Sequence, residues 1–501
     1  MTFSAKNLRA SKVIKPGAGL QINMCDPRAF LVGGDWRKSD EILDVKSPYN
    51  NEIVYRVYLA GKEDIEDAIR ASVSGFKTTK TVPTYERVCI LKKMVDIIRE
   101  RATEIAETIV DECGKTITLA KAEVERTTGT LEISAEEAKR INGGIISLDW
   151  AEAGAGRTGF VRRFPIGPVL CITPFNFPFN LISHKIGPAI AAGNPVIIKP
   201  ASKTPVSALI LGEIMLEAGM PPEAVSVLPC LPNHAEIPVR DSRIAFLSFT
   251  GSPAVGWHLK EIAGRKRVAL ELGGNAATIV HSDANLEYAS GRIATGGFSN
   301  AGQVCISVQR VLVQRTVYNE FLNSLIAKVK NLKTGDPRDP GTDVGPMISE
   351  RAAEDAFEKV QEAVNAGAHV VTGGKQSGTI FEPTILVDTT PEMRVNATEM
   401  FAPVVTVSPY NDLEEALAVA NNSEFGLQMG LFTDNMTNIM NAFEEADVGG
   451  LIINDISTFR MDHMPYGGAK GSGTGREGPS YAIEEMTEMK LMVLNLSEKM
   501  D

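Results

Sequence analysis

A few polar residues stand where chemistry could be done. Cys305 lies in Thr295-Gly-Gly-Phe-Ser-Asn-Ala-Gly302-Gln-Val-Cys305-Ile-Ser, a loop of small residues that leaves a thiol room to act as a nucleophile. Taken singly, a cysteine in such a place is more often a small buried hydrophobe. Glu271 ends an apolar run and is followed by Leu272 and by Gly273-Gly274, on which the backbone can turn sharply. Asn176 sits in Pro174-Phe175-Asn176-Phe-Pro178, a stiff turn bounded by prolines and preceded by Thr173. Glu399-Met-Phe401-Ala-Pro403 sets a second carboxylate beside an aromatic ring.

The elements that must hold these groups are short apolar runs alternating with helical patterns. Strands are expected at 169–173, 196–199, 225–228, 245–249 and 267–272, with helices at 205–218 and 253–263 between them. Such alternation implies a parallel sheet in a Rossmann-like domain. A second α/β series follows, with strands near 278–280, 311–313, 370–372, 404–408 and 450–454. Ahead of both, apolar residues spaced by three and four predict one long helix from Tyr85, closed by Gly114, and another over 121–140. Residues 142–170 read as a protruding β-hairpin, and the tail from Glu488 to Leu496 as a strand needing a partner.

A chain of 501 residues exceeds what one core usually supports, so two or more domains are expected. A net charge of −11 argues against a nucleic-acid partner, which requires concentrated positive charge. No stretch approaches the ~18 uninterrupted apolar residues of a membrane span, and the start, Met-Thr-Phe-Ser-Ala-Lys, lacks a secretory signal's apolar run. The cysteines at 25, 89, 113, 171, 230 and 305 show neither Cys-x-x-Cys pairs nor histidines at ligand spacing. No metal site is expected, and a reducing cytoplasm fits.

Two segments match G-x-G-x-x-G, from Gly154 to Gly159 and from Gly473 to Gly478. Neither follows a strand and opens a helix, as pyrophosphate binding at a helix N-terminus requires, so both read as loop glycines. Phe249-Thr-Gly251-Ser252 fits better, ending a strand just before a helix. Gly251 would permit close backbone approach, and Ser252 would either cap the helix or bond a phosphate.

Taken together, the Asn176 turn, Lys199-Pro, Thr-Gly-Ser, Glu-Leu-Gly-Gly, Gly-Gln-x-Cys, Glu-x-Phe-x-Pro and Pro465-Tyr-Gly-Gly closely resemble the aldehyde dehydrogenase superfamily, in its order, from about Asp44 to Val493. The likeness points to the hydrolytic lactaldehyde, succinic semialdehyde and non-phosphorylating glyceraldehyde-3-phosphate group. It implies that Cys305 attacks the aldehyde carbon, that Asn176 and the Cys305 N–H hold the resulting oxyanion, and that Glu271 activates water to release the product. Lys199 and Glu399 would face the two riboses of NAD or NADP, Ser252 the pyrophosphate and Phe401 the nicotinamide, with Thr173, Pro174, Phe175, Gly251 and Leu272 completing the wall. A Rossmann-like cofactor domain (1–141 and 165–274), an α/β catalytic domain (275–480) and a bridging β element (142–164 and 481–501) that assembles homodimers or homotetramers would make up the fold.

The sequence departs from the family pattern in places. Members that prefer NAD⁺ often carry a glutamate three residues after the motif lysine. Here Ser202 stands there, followed by Lys203, which gives NADP⁺ a slight preference. The segment Leu228-Pro-Cys-Leu-Pro-Asn-His lacks the glycines common after the third strand, and Ala402 replaces a frequent glycine. Arg126 and Arg460 fall at positions that line the aldehyde tunnel in the family, which points to an anionic or hydroxylated substrate. The plainer alternative is that each pairs with an acid such as Glu123 or Asp462. Two other functions remain open: a CoA-acylating semialdehyde dehydrogenase, which usually lacks the glutamate found at 271, and a silent relative, which would have lost Cys305 or Asn176.

Overall fold

The computed structural model describes residues 26–495. Cys25 and Leu496, the last residue of the expected tail strand, lie outside the described residues, as do the ends of the expected segments 1–141 and 481–501.

Five parallel strands form the centre of the first sheet, in the order Val225–Val227, Val196–Lys199, Val169–Ile172, Phe246–Thr250, Arg267–Glu271. They are apolar on both faces because helices cover both, and Val196, Leu170, Leu247 and Leu270 are fully buried. In chain order the arrangement is third, second, first, fourth, fifth. Chain direction across the sheet therefore reverses between Val169–Ile172 and Phe246–Thr250, and a crevice opens at their carboxyl ends. Thr173 to Asn176 leave the first of these strands and Gly251-Ser252 the other.

The second sheet has seven strands: His369–Thr372, Thr384–Val387, Val404–Tyr410, Val308–Gln314, Ala276–Val280, Gln428–Phe432 and Gly450–Ile453. All pair in parallel except His369–Thr372, an antiparallel edge. Thr384–Val387 and Gln428–Phe432 are not anticipated from the sequence, since a run of four or five buried residues has no period to read. The third sheet joins Gly144–Ser147 to Arg157–Pro165 and that strand to Thr487–Asn495, which gives the tail its partner.

The helix expected from Tyr85 to Gly114 is two, Thr84–Glu100 and Ala102–Cys113. They part at Arg101, whose backbone leaves helical geometry (φ −98°, ψ 12°) while its guanidinium bonds Glu104 and Glu213. Gly114 closes the second helix in the left-handed region (φ 72°). The first G-x-G-x-x-G match is loop and strand glycines, whereas the second, against expectation, ends at Gly478, which caps the short helix Pro479–Glu485. Gly154 and Gly156 turn the hairpin, and Gly473–Thr474 pairs antiparallel with Leu270 and Glu271, adding an edge to the first sheet from within the expected 275–480 segment.

Candidate active site

The reversal crevice opens into a cavity of about 930 Å³. Its wall brings together Cys305, Glu271, Asn176, Thr173, Pro174, Phe175, Lys199, Gly251, Ser252, Leu272, Glu399, Phe401, Arg126 and Arg460. Ser202 is the expected site residue that does not line it; it is exposed, just beyond the lining residue Ala201.

The Cys305 loop approaches through a run of left-handed residues, Asn300 (φ 51°), Ala301 (φ 54°) and Gly302 (φ 68°). Two non-glycine residues in that region cost energy and persist only where surrounding contacts fix them. Gly302 is required, since a Cβ there would lie 2.0 Å from the Ala402 carbonyl oxygen. The Gln303 carbonyl accepts a bond from Asn176 Nδ2 at 3.0 Å, which ties the amide to the Cys305 loop and leaves its second hydrogen for another acceptor.

Glu271 is nearly buried, at 4% exposure. A Cβ on Gly274 would sit 2.3 Å from the Cys305 carbonyl oxygen, and one on Gly467 would sit 2.9 Å from Glu271 Oε1. The paired glycines thus let the carboxylate strand and the thiol loop close on each other. Burial first, then the neighbouring Glu477, holds the Glu271 carboxyl well above the usual carboxylate range. Its Oε2 has no hydrogen-bond partner among the described residues, as befits a group whose partner arrives with substrate. Burial also pushes the Cys305 thiol up to about 12.

The other end of the cavity presents unpaired donors. The Lys199 ammonium has no acid within ion-pair distance among the described residues, and burial lowers its pKa. Buried Thr173 Oγ1 lacks a hydrogen-bond partner among the described residues. Ser252 occupies the N-cap position of Pro253–Ile262 without making a cap bond, so its hydroxyl stays available at the helix N-terminus. Glu399 Oε1 accepts from the Gly274 N–H at 3.0 Å, and burial pushes its carboxyl up to about 7. Phe401, at φ 49°, meets Phe175 edge to face with centroids 5.9 Å apart. Ammonium, hydroxyls and a free helix terminus fit a pyrophosphate and its riboses.

At the end of the cavity beyond Cys305 the charges are already paired. Arg126 Nε and Nη2 donate to Asp462 at 3.2 and 2.7 Å, the plainer alternative raised by the sequence. Arg460 donates through Nη2 to Glu477 at 3.0 Å, and Glu477 also accepts from Lys185 at 3.0 Å. His184 lies 2.9 Å from Asp462, while Glu123 pairs with Lys115 rather than with Arg126. Asp462 is the acid the sequence offers as a partner, while nothing local marks His184, Lys185 or Glu477, whose significance lies in pairings across the fold. Tyr466 was noted only as part of a motif, yet its hydroxyl is 2.9 Å from the Cys305 sulfur.

Residues 36–492 match the model of the Aldehyde dehydrogenase family. A 3-sulfolactaldehyde dehydrogenase of Priestia aryabhattai is 45% identical over 470 residues, covering 93% of this chain and 98% of its own. Aldehyde dehydrogenase 21 of Physcomitrella patens, solved with the reaction product succinate, is 42% identical with a TM-score of 0.92, covering 94% of this chain and 99% of its own. The glyceraldehyde-3-phosphate dehydrogenase GapN of Methanocaldococcus jannaschii, complexed with NADP, is 36% identical with a TM-score of 0.88, covering 92% and 99%. Agreement that takes in nearly the whole chain, at such identities and around one cavity, makes the chain a member of the aldehyde dehydrogenase family, an enzyme that oxidises an aldehyde to its carboxylate with NAD or NADP.

Proposed function

We propose that the substrate is a short aldehyde carrying an anionic or hydroxylated head group, and that Cys305, Asn176 and Glu271 do the chemistry. The observation that carries the substrate class is the pair of arginines in the cavity wall. Arg126 and Arg460 each commit part of the guanidinium to a carboxylate and leave Nη1 without a protein partner among the described residues. A guanidinium fixed in this way offers a preorganised edge to a carboxylate, sulfonate or phosphate. The relatives' names run the same way: one acts on 3-sulfolactaldehyde, one was solved with succinate, and one is named for glyceraldehyde 3-phosphate.

In this reading the Cys305 sulfur attacks the aldehyde carbon and forms a thiohemiacetal. The negative oxygen accepts from the Asn176 amide and the Cys305 N–H, each donor typically contributing about 3–4 kcal/mol. When bound, an oxidised nicotinamide supplies the acceptor for the hydride. Glu271 then takes a proton from water, which attacks the thioester and frees the carboxylate and the thiol. A carboxylate in the wall opposite the thiol favours water over CoA as the acyl acceptor. With no acid at 202 and Lys203 beside it, NADP⁺ is slightly preferred.

The nine-residue pairing of Thr487–Asn495 with Arg157–Pro165 leaves Met489, Leu491 and Val493 exposed with Ile146 on one face of the sheet, and Met492 exposed with Ile145 on the other. Exposed apolar side chains on both faces of this strip support assembly into a homodimer or homotetramer. The described cysteines are all free, which suits the cytoplasm.

The test compares succinic semialdehyde, glyceraldehyde 3-phosphate, lactaldehyde and hexanal on wild type, Arg126→Leu and Arg460→Leu. Loss of one charge-assisted contact should cost the anionic substrates about 1.5–3 kcal/mol, roughly ten- to hundredfold in kcat/KM, and hexanal little. Equal losses on all four would mean that the arginines hold the fold rather than the substrate.

A further inference from the structure

The steps above leave Tyr466 without a task, although it touches the reacting sulfur. We propose that Tyr466 is a catalytic residue whose O–H donates a hydrogen bond to the Cys305 sulfur and stabilises the thiolate that attacks the aldehyde. The proposal rests on the reading of Cys305 as nucleophile and assigns the group that helps its thiol ionise.

Geometry carries the case. The phenol oxygen is 2.9 Å from Cys305 Sγ, and the tyrosine is buried at 2% exposure. That sulfur is the hydroxyl's hydrogen-bond partner among the described residues, so the bond is what satisfies a buried O–H. The Tyr466 backbone is held by Glu477, with which it exchanges N–H···O bonds of 3.0 and 2.6 Å. The Arg460 guanidinium, itself held by Glu477, lies 3.6 Å from the ring centroid. A cation over the face withdraws density from the ring and makes its O–H a better donor.

With a neutral thiol, either partner can donate. Once the thiol ionises only the phenol can, and the bond becomes charge-assisted, so it favours the thiolate over the thiol. That preference is needed here. Burial raises the thiol, and the carboxylates of Glu271 and Glu399 oppose its ionisation, while Arg460 and Tyr466 favour it. A role confined to packing would need the ring but not its oxygen.

The experiment is the pH dependence of Cys305 alkylation by iodoacetamide, followed by mass spectrometry of the Cys305 peptide in the full-length enzyme. Tyr466→Phe should move the titration midpoint up by about one unit or more, with alkylation near neutral pH about tenfold slower or worse. Its kcat should fall while KM and dinucleotide affinity hold. Replacing Tyr466 with 3-fluorotyrosine, a stronger acid of nearly the same shape, should move the midpoint down. A midpoint that neither replacement moves overturns the proposal, whatever happens to kcat, and leaves covalent catalysis standing. Turnover by Cys305→Ala would instead sink the covalent reading itself.

Discussion

The two ends of the cavity treat charge in opposite ways. At the end formed by the strand reversal, Lys199, Thr173 and Ser252 present donors without partners among the described residues. At the end beyond Cys305, Arg126, His184, Lys185 and Arg460 are all engaged with Asp462 or Glu477. On the proposed reading, the difference follows from what each end must do. A dinucleotide brings its own charges and hydroxyls, and groups left open to water can be satisfied when it binds. A transition state gains most from a field that is already arranged, since donors and charges that need not reorient cost nothing at the moment of reaction. Pairing the arginines in advance also keeps a buried guanidinium from being an uncompensated charge before substrate arrives.

The largest effect expected at the paired end is chemical. Cys305→Ala should abolish dehydrogenase activity while dinucleotide binding and thermal unfolding stay as in wild type. Substantial turnover in the purified variant would remove the covalent mechanism. Glu271→Gln should fail later in the cycle, with a burst of reduced cofactor near one per site, then a steady state about a hundredfold or more slower, and acyl adduct on Cys305. The sign of the pH dependence follows from the environment. Burial and Glu477 raise the Glu271 carboxyl, and a base must be ionised, so wild-type deacylation should slow as pH falls through that raised value, above the ordinary carboxylate range. Collapse of hydride transfer with no adduct would assign Glu271 an earlier task.

The comparison itself can be broken by stability measurements. Glu477→Gln leaves Lys185 and Arg460, both almost fully buried, without their counter-charge, and should cost about 3–5 kcal/mol. Lys199→Ala removes a cation that has no counter-charge, and should leave folding stability within about 0.5 kcal/mol of wild type while weakening dinucleotide binding. Lys185, His184 and Arg460 hold the Glu477 carboxyl well below its usual range, so its contribution is present above the unfolded-state value near pH 4.5 and fades as pH falls through the lower folded one. Urea unfolding of wild type and Glu477→Gln should therefore converge in acid. Equal stability losses for Lys199→Ala and Glu477→Gln at neutral pH would show that the two ends do not differ as described.

How far each end could be read from the sequence follows the same division. The cofactor end depends on local signals, a strand ending in Thr-Gly-Ser or in Thr173-Pro174 before a helix, and those are visible in a window of ten residues. The parallel sheet, the hairpin and the tail strand were legible for that reason. The paired end depends on contacts such as Arg126 with Asp462, 336 positions apart, which no local pattern marks. Glu477 sits inside a glycine match that reads as a loop, and nothing local marks it as the carboxylate that Lys185 and Arg460 share. The break at Arg101 escaped because the apolar spacing continues across it, while the backbone does not.

The smallest expected effect lies at the rim of the open end. Ser202 is exposed and borders the cavity without lining it, so any contact with the adenosine ribose is made through water or at the edge. A carboxylate placed there by Ser202→Glu would stand near the 2′-phosphate of NADP⁺. Repulsion between exposed charges is weakened by solvent and salt, so the loss should be about 1 kcal/mol, roughly fivefold in NADP⁺ affinity. NAD⁺ affinity should hold or rise, since a carboxylate can accept from both ribose hydroxyls. Titration of the two cofactors by protein fluorescence at low and high salt measures both effects, and the NADP⁺ penalty should shrink as salt is added. A penalty of zero at low salt would mean that Ser202 does not face the ribose, and that preference between the two cofactors is set from another wall of the crevice.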